Sequence, residues 1–216
     1  MRPKNNVQMK VLAIIQARLG SKRFPNKVLA QIPPESGVSM LEMVVRKACL
    51  ATTVDDVVVV TPDKQIATMC GRWNIRAYMP SWNERDVVRE FYEAARAEKA
   101  DAIVRLTADC PLLQPQEIDR VVREYKAGNY DIVCNTDEST GQLNGEGSDV
   151  ECFSSFALHL ANVFAIRDMR EHVTTWMRKY LITYKMTPSP VLGIKSINTL
   201  EDYKWVCSYF NTTSEG

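Results

Sequence analysis

VLAIIQARLGSKRFPNKVL, residues 11–29, is the stretch whose reading decides the fold. Val11, Leu12, Ala13, Ile14 and Ile15 form an apolar run of strand length, which then breaks into Gln16-Ala17-Arg18-Leu19-Gly20-Ser21-Lys22-Arg23 before Pro25 and Asn26 turn the chain. A continuous apolar run bounded by turn residues predicts a strand buried on both faces, as in a parallel sheet. Ligands of such sheets collect at the carboxyl ends of the strands. At that end stand Arg18, Lys22, Arg23 and Lys27 together with Gly20 and Ser21. Gly20 allows a ligand to approach the backbone closely, and loop N–H groups with Arg and Lys suit phosphate oxygens. A triphosphate cradle is the functional expectation. A basic surface loop after a strand is the alternative, and spacing alone does not separate the two. No GxxxxGK[ST] P-loop occurs in the chain.

Outward from this stretch, the 216 residues suit one domain, with residues 1–9 as a loose tail and 10–216 as the folded unit. The net charge of +1 provides no global field for nucleic acid or for an acidic membrane. No run of eighteen apolar residues is present, and MRPKNNVQMK lacks the apolar core of a signal peptide, so the expected location is the cytoplasm. Six cysteines without a CxxC are expected to be buried free thiols. The two histidines, His159 and His172, make no zinc-ligand spacing.

Apolar periodicity predicts helices over 40–51, 64–73, 86–99, 116–127, 156–166, 170–181 and 200–210. Strands are expected at 57–60, 75–79, 102–106, 131–134, 150–153, 182–186 and 194–198. The alternation of strand and helix up to 134 argues for a parallel sheet with helices on both faces. Residues 135–148 are polar and carry three glycines, which reads as a lid. The region 137–186 reads as an insertion.

Three expected strand ends carry the chemistry: the basic loop, Asp109 after AIVRLT, and Asn198 at the mouth of the last helix. A carboxylate and an amide oxygen are hard ligands suited to Mg²⁺, which takes the rest of its shell from water and phosphates. Metal and cations together would neutralise charge on an attacked phosphorus and a leaving pyrophosphate, with no protein nucleophile. Taken singly, Asp109 also suits a cap or turn, and Asn198 a turn.

IIQARLGSKRFPNKVL resembles the opening motif of the cytidylyltransferase family, which includes the CMP-Kdo and acylneuraminate synthetases and the spore-coat-polysaccharide type. The resemblance continues through VVVVTPD, DVVREFYEAA, VRLTADCPLL, GSDVECFSSFAL, REHVT and INTLEDY, in the family's order. It implies a Rossmann-like, GT-A-like nucleotidyltransferase fold: an α/β three-layer sandwich with a mostly parallel central sheet and a small dimerisation insertion. The implied reaction is attack by a sugar acid, or by a phosphate or phosphonate, on the α-phosphorus of CTP, in the making of surface polysaccharide. By motif position, Arg18, Lys27 and Asp109 are the catalytic expectation. Ala17, Arg18, Leu19, Gly20, Ser21, Arg23, Lys27, Asp86 and Thr107 are the nucleotide-binding expectation. Asp149, Glu151, Arg170 and His172 are candidates for the acceptor wall, and Asp109 and Asn198 for Mg²⁺. The partners expected are CTP, a sugar-acid-like acceptor and a second copy of the chain. Asn198 stands where the synthetases carry Asp, and Asn26 where the family commonly has Gly. A UTP-dependent sugar-1-phosphate nucleotidyltransferase and a nucleotide-binding subunit without catalysis are the competing readings.

Overall fold

The computed structural model describes residues 9–81, 86–136, 147–186 and 196–213, with side chains of the last segment through Phe210. The expected tail up to residue 8, Trp82, most of the expected lid (137–146, including Gly145) and residues 187–195 lie outside the described residues.

β1 (Val11–Gln16) is fully buried along its first five residues. Its side chains alternate between two apolar layers, Val11, Ala13 and Ile15 in one, Leu12 and Ile14 in the other. Each of the larger side chains contributes roughly 1.5–3 kcal/mol on burial, so β1 anchors both layers at once. Parallel to it run β2 (Asp56–Val60) on one side and β4 (Ala102–Thr107) on the other, and β3 (Arg76–Tyr78) extends the sheet beyond β2. β6 (Val150–Ser154) lies antiparallel between β4 and β5 (Ile132–Cys134), and β7 (Thr183–Lys185) closes the far edge parallel to β5. The order is β3-β2-β1-β4-β6-β5-β7, a mixed α/β sheet in which β6 alone is reversed.

α1 (Met40–Leu50), α2 (Lys64–Arg72) and α4 (Pro115–Ala127) bury Leu41, Val44, Ile66, Ile118 and Val121 against one face. α3 (Val87–Ala97), α5 (Ser155–Phe164) and α6 (Thr175–Tyr180) bury Val88, Phe91, Leu158 and Met177 against the other. α1 therefore leaves β1 over one face, while α3 returns to β4 over the opposite one. The switch point falls between β1 and β4, where the carboxyl ends of an open sheet form a crevice. α7 (Leu200–Thr213) covers a third cluster in which Val206 and Cys207 join Ile32, Met40, Leu112 and Ile197.

Several expectations change. The helix expected over 170–181 is a 3-10 turn at Arg167–Arg170 followed by α6. Arg170 is held by carbonyls at the end of α5, and buried Thr174 donates to Glu151, so side-chain anchoring overrides helical periodicity. Residues 196–198 are not a strand; Ile197 N–H instead donates to the Asp109 carbonyl at 2.8 Å. The region read as an insertion is, in its described part, woven into the sheet through β6 and β7. All six cysteines are free, but Cys49 is exposed. Ala48 takes the buried position on α1, and the next residue lies roughly 100° further round the helix.

Candidate active site

A cavity of about 490 Å³ opens at the β1–β4 switch point, lined by Gln16, Arg18, Gly20–Arg23, Lys27, Arg105, Thr107, Asp109, Glu171, His172 and Asn198. The basic loop takes its shape from β1 and β2. Ala17 N–H donates to the Val60 carbonyl at 3.0 Å, and Leu19 N–H to the Asp63 carboxylate at 2.9 Å. Leu19's own carbonyl then accepts from Ser21 and Asn26. Asn26 closes the turn at φ 57°, the left-handed region that Asn enters more readily than most residues. Ala17 and Leu19 pack into the apolar layer below, so the residues presented to the cavity are Arg18 and Gly20–Arg23. A Cβ on Gly20 would meet nothing within 4 Å. The bare backbone there borders open space, and the fold itself does not require the glycine.

Asp109 and Asn198 converge as the sequence suggested, although Asn198 arrives on a loop. Lys27 Nζ joins the two segments, donating to Asp109 Oδ2 and to the Ile197 carbonyl, each at 2.7 Å. Arg23 donates to Asn198 Oδ1 at 2.8 Å. Thr199 and Asp202 form a reciprocal cap at the start of α7, and Asp202 also accepts from Asn198 N–H at 3.0 Å, which fixes the amide beside the cavity. Among the described residues no group of three His, Cys, Asp or Glu side chains could hold a metal. One carboxylate and one amide oxygen nevertheless form a hard donor set that fits Mg²⁺, an ion that completes its shell from phosphates and water.

The other wall is built on β4 and β6. Arg105 pairs with Ile14 on one side and with Glu151 on the other. Glu151 is completely buried and accepts from Arg105 Nη1 at 2.9 Å, from Arg178 Nε at 2.8 Å and from Thr174 Oγ1 at 2.9 Å. Burial alone would raise the Glu151 carboxyl, but the Arg105 and Arg178 charges outweigh it and hold it below the usual range. Asp149 lies in the same field. Its Oδ1 is buried and has no hydrogen-bond partner among the described residues, and burial pushes its carboxyl up to about 6 against the pull of Arg105. Cys110 is also buried, and its thiol is pushed well up by burial and by the Asp109 and Asp149 charges, which removes it as a nucleophile.

Of the sequence-predicted residues, the cavity gathers Arg18, Gly20, Ser21, Arg23, Lys27, Thr107, Asp109, His172 and Asn198. Glu151 stands behind it. Asp86 and Arg170 meet each other instead, at 2.7 Å, with Asp86 capping α3 and Arg170 tying down the end of α5. Two residues in supporting roles escape the sequence reading. Asp63 clamps the basic loop. Arg105 carries a legible signal, a cation inside an otherwise apolar strand. Gln16 also lines the cavity and donates to Glu90 at 3.3 Å, linking it to a smaller cavity of about 320 Å³ beside Tyr78 and Ser81.

A family model described as cytidylyltransferase matches residues 12–215. A spore coat polysaccharide biosynthesis protein, SpsF, of Bacillus subtilis is 26% identical over 95% of this chain and 88% of its own. A 3-deoxy-manno-octulosonate cytidylyltransferase of Solibacter usitatus is 36% identical over 113 residues, 52% of this chain and 44% of its own. The solved structure of a cytidylyltransferase from Leptospira borgpetersenii superposes with a TM-score of 0.80 at 24% identity, covering 94% of this chain and 87% of that one.

Proposed function

We propose, because this chain belongs to the cytidylyltransferase family, that it transfers CMP from CTP to an acidic sugar with release of pyrophosphate, as a step toward surface polysaccharide. The observation that carries this reading is the convergence of Lys27, Asp109 and Asn198 with the Arg18–Arg23 loop at one switch-point cavity. Arg18, Ser21, Lys22 and Arg23 are of the right kind to grip a triphosphate, and Gly20 leaves the backbone open to it. Lys27 lies where it could neutralise charge developing on the α-phosphoryl and the departing pyrophosphate. Asp109 and Asn198 would hold Mg²⁺, which when bound polarises the phosphates and orients them. Binding would also exchange partners, since Asp109 and Asn198 are engaged here by Lys27 and Arg23.

The acceptor class is supported by the relatives, one named for 3-deoxy-manno-octulosonate and one for a spore coat polysaccharide. A homodimer is part of the proposal. Phe164, Ile166, Tyr180 and Ile182 are each more than half exposed along α5, α6 and the approach to β7, an apolar surface that suits a second copy. No helix among the described residues is long and apolar enough to cross a membrane.

Pyrophosphate release tests the reading, with CTP, UTP, ATP and GTP offered against 3-deoxy-manno-octulosonate, N-acetylneuraminate and sugar 1-phosphates. Release confined to CTP with an acidic sugar is expected. Turnover of UTP with a sugar 1-phosphate would replace the assignment. CTP binding without turnover of any acceptor would support a subunit without catalysis.

A further inference from the structure

Arg105 is a cation in the middle of β4, a strand whose other side chains are apolar up to Thr107. Burying part of a guanidinium is costly unless it is paired. The pairing here is one-sided: Arg105 makes a single hydrogen bond among the described residues, from Nη1 to Glu151 Oε2. Glu151 does not depend on that bond alone, because Arg178 also engages Oε1 and Thr174 donates to the carboxylate. Nε and Nη2 of Arg105 therefore have no hydrogen-bond partner among the described residues, although the side chain lines the cavity and is 22% exposed. A planar fork with open donors, fixed at one corner by a buried carboxylate, is suited to an oxyanion. It stands on β4 between β1 and β6 and lines the same cavity as Thr107 and His172.

We propose that Arg105 binds an oxyanion of the acceptor, a carboxylate or a phosphate, and that Glu151 is the positioning residue that fixes the guanidinium for it. This rests on reading the cavity as a cytidylyl-transfer site. It makes Arg105 a determinant of acceptor specificity that admits acidic acceptors and rejects neutral ones.

The test is calorimetric and needs no acceptor to be identified. The full chain is saturated with Mg²⁺ and the unreactive α,β-methylene analogue of CTP. It is then titrated with inorganic phosphate in one arm and with pyruvate, a 2-keto carboxylate, in the other. Binding of at least one anion at a single site is expected, and the arm that binds identifies the group. Arg105→Gln should weaken that anion by about tenfold or more while changing the analogue's affinity by less than about twofold. Arg105→Lys, which keeps the charge and protects against misfolding, should retain phosphate binding but weaken pyruvate. Glu151→Gln should weaken the anion without touching the analogue, a split that a purely structural role does not produce.

Three outcomes overturn the proposal: no anion binding to the analogue-loaded wild type, anion binding unchanged in Arg105→Gln, or loss of analogue and anion in parallel. Failure of the wild type to bind the analogue is a different result. It defeats the cytidylyl-transfer reading itself.

Discussion

The two walls of the cavity hold their charges in opposite ways. On the loop wall the ion pair is partly solvated: Lys27 is 12% exposed and Asp109 27%. Two contacts there can be exchanged for a ligand, Lys27 on Asp109 and Arg23 on Asn198. On the β4–β6 wall the central carboxylate is fully buried and held by two guanidiniums and a hydroxyl. Charges near water exchange partners at low cost, whereas a buried pair loses far more when one member leaves. The loop wall is therefore suited to taking up and releasing a large polyanion with its metal. The strand wall is suited to holding one donor group in fixed geometry.

The comparison breaks first at Glu151. Glu151→Ala leaves Arg105 and Arg178 without their carboxylate and should cost roughly 3–5 kcal/mol of stability, read as the urea midpoint. A loss below about 1 kcal/mol would mean that the strand wall is no more rigidly held than the loop. Because the Glu151 carboxyl is held low in the folded state, its contribution is present above the usual glutamate range and is lost as pH falls.

On the loop wall the equivalent change should affect turnover more than folding. Asp109→Ala should reduce pyrophosphate release by about 10²-fold or more, with a shift in unfolding midpoint well below that of Glu151→Ala. Full turnover in that variant would remove Asp109 from the metal site.

Asp149 sharpens the contrast through pH. Burial raises its carboxyl to about 6, so the unliganded protein loses stability as pH climbs from the ordinary aspartate range through that value. Asp149→Asn should then stabilise the unliganded protein by about 3 kcal/mol at pH 8 and by far less near pH 4. Thermal melts across that range check it. A constant difference at all pH values would show that the orphaned oxygen carries no charge penalty.

The smallest effect is on folding at Gly20. Gly20→Val should leave the melting midpoint unchanged, because nothing lies within 4 Å of its Cβ, and yet weaken CTP by about tenfold as the side chain enters the cavity. Loss of stability without loss of affinity would mean that the loop is shaped by its glycine after all.

Much of this is legible from residue order. The run 11–15 reads as a doubly buried strand because apolar side chains on both sides of the pleat have only the interior to occupy, and the structure buries all five. Arg18, Ser21, Arg23 and Lys27 are found from the loop, and Asp109 from the turn after β4, since a strand end directs the next few residues toward the crevice. The reversed β6, the broken 170–181 helix and the loop that carries Asn198 are not legible, because each depends on partners distant in the chain. Asp86 and Arg170 carry the right charges for a ligand but lie close enough to satisfy each other. Arg105 stands out as a cation in an apolar strand, but its role is not legible, because periodicity records where a side chain is buried, not what it meets there.

By itself the order of residues determined a mostly parallel sheet with an apolar layer on each face, and the basic, oxygen-rich character of its strand ends. These arise from local periodicity and from which residue types terminate each strand. Tertiary structure alone decided which charges remain available to a ligand. Arg105 and Arg170 differ only in what lies within hydrogen-bonding reach, one open to the cavity and the other enclosed by Asp86 and the end of α5. Pairing between charges acts over a few ångströms of space, and distance along the chain carries no information about it.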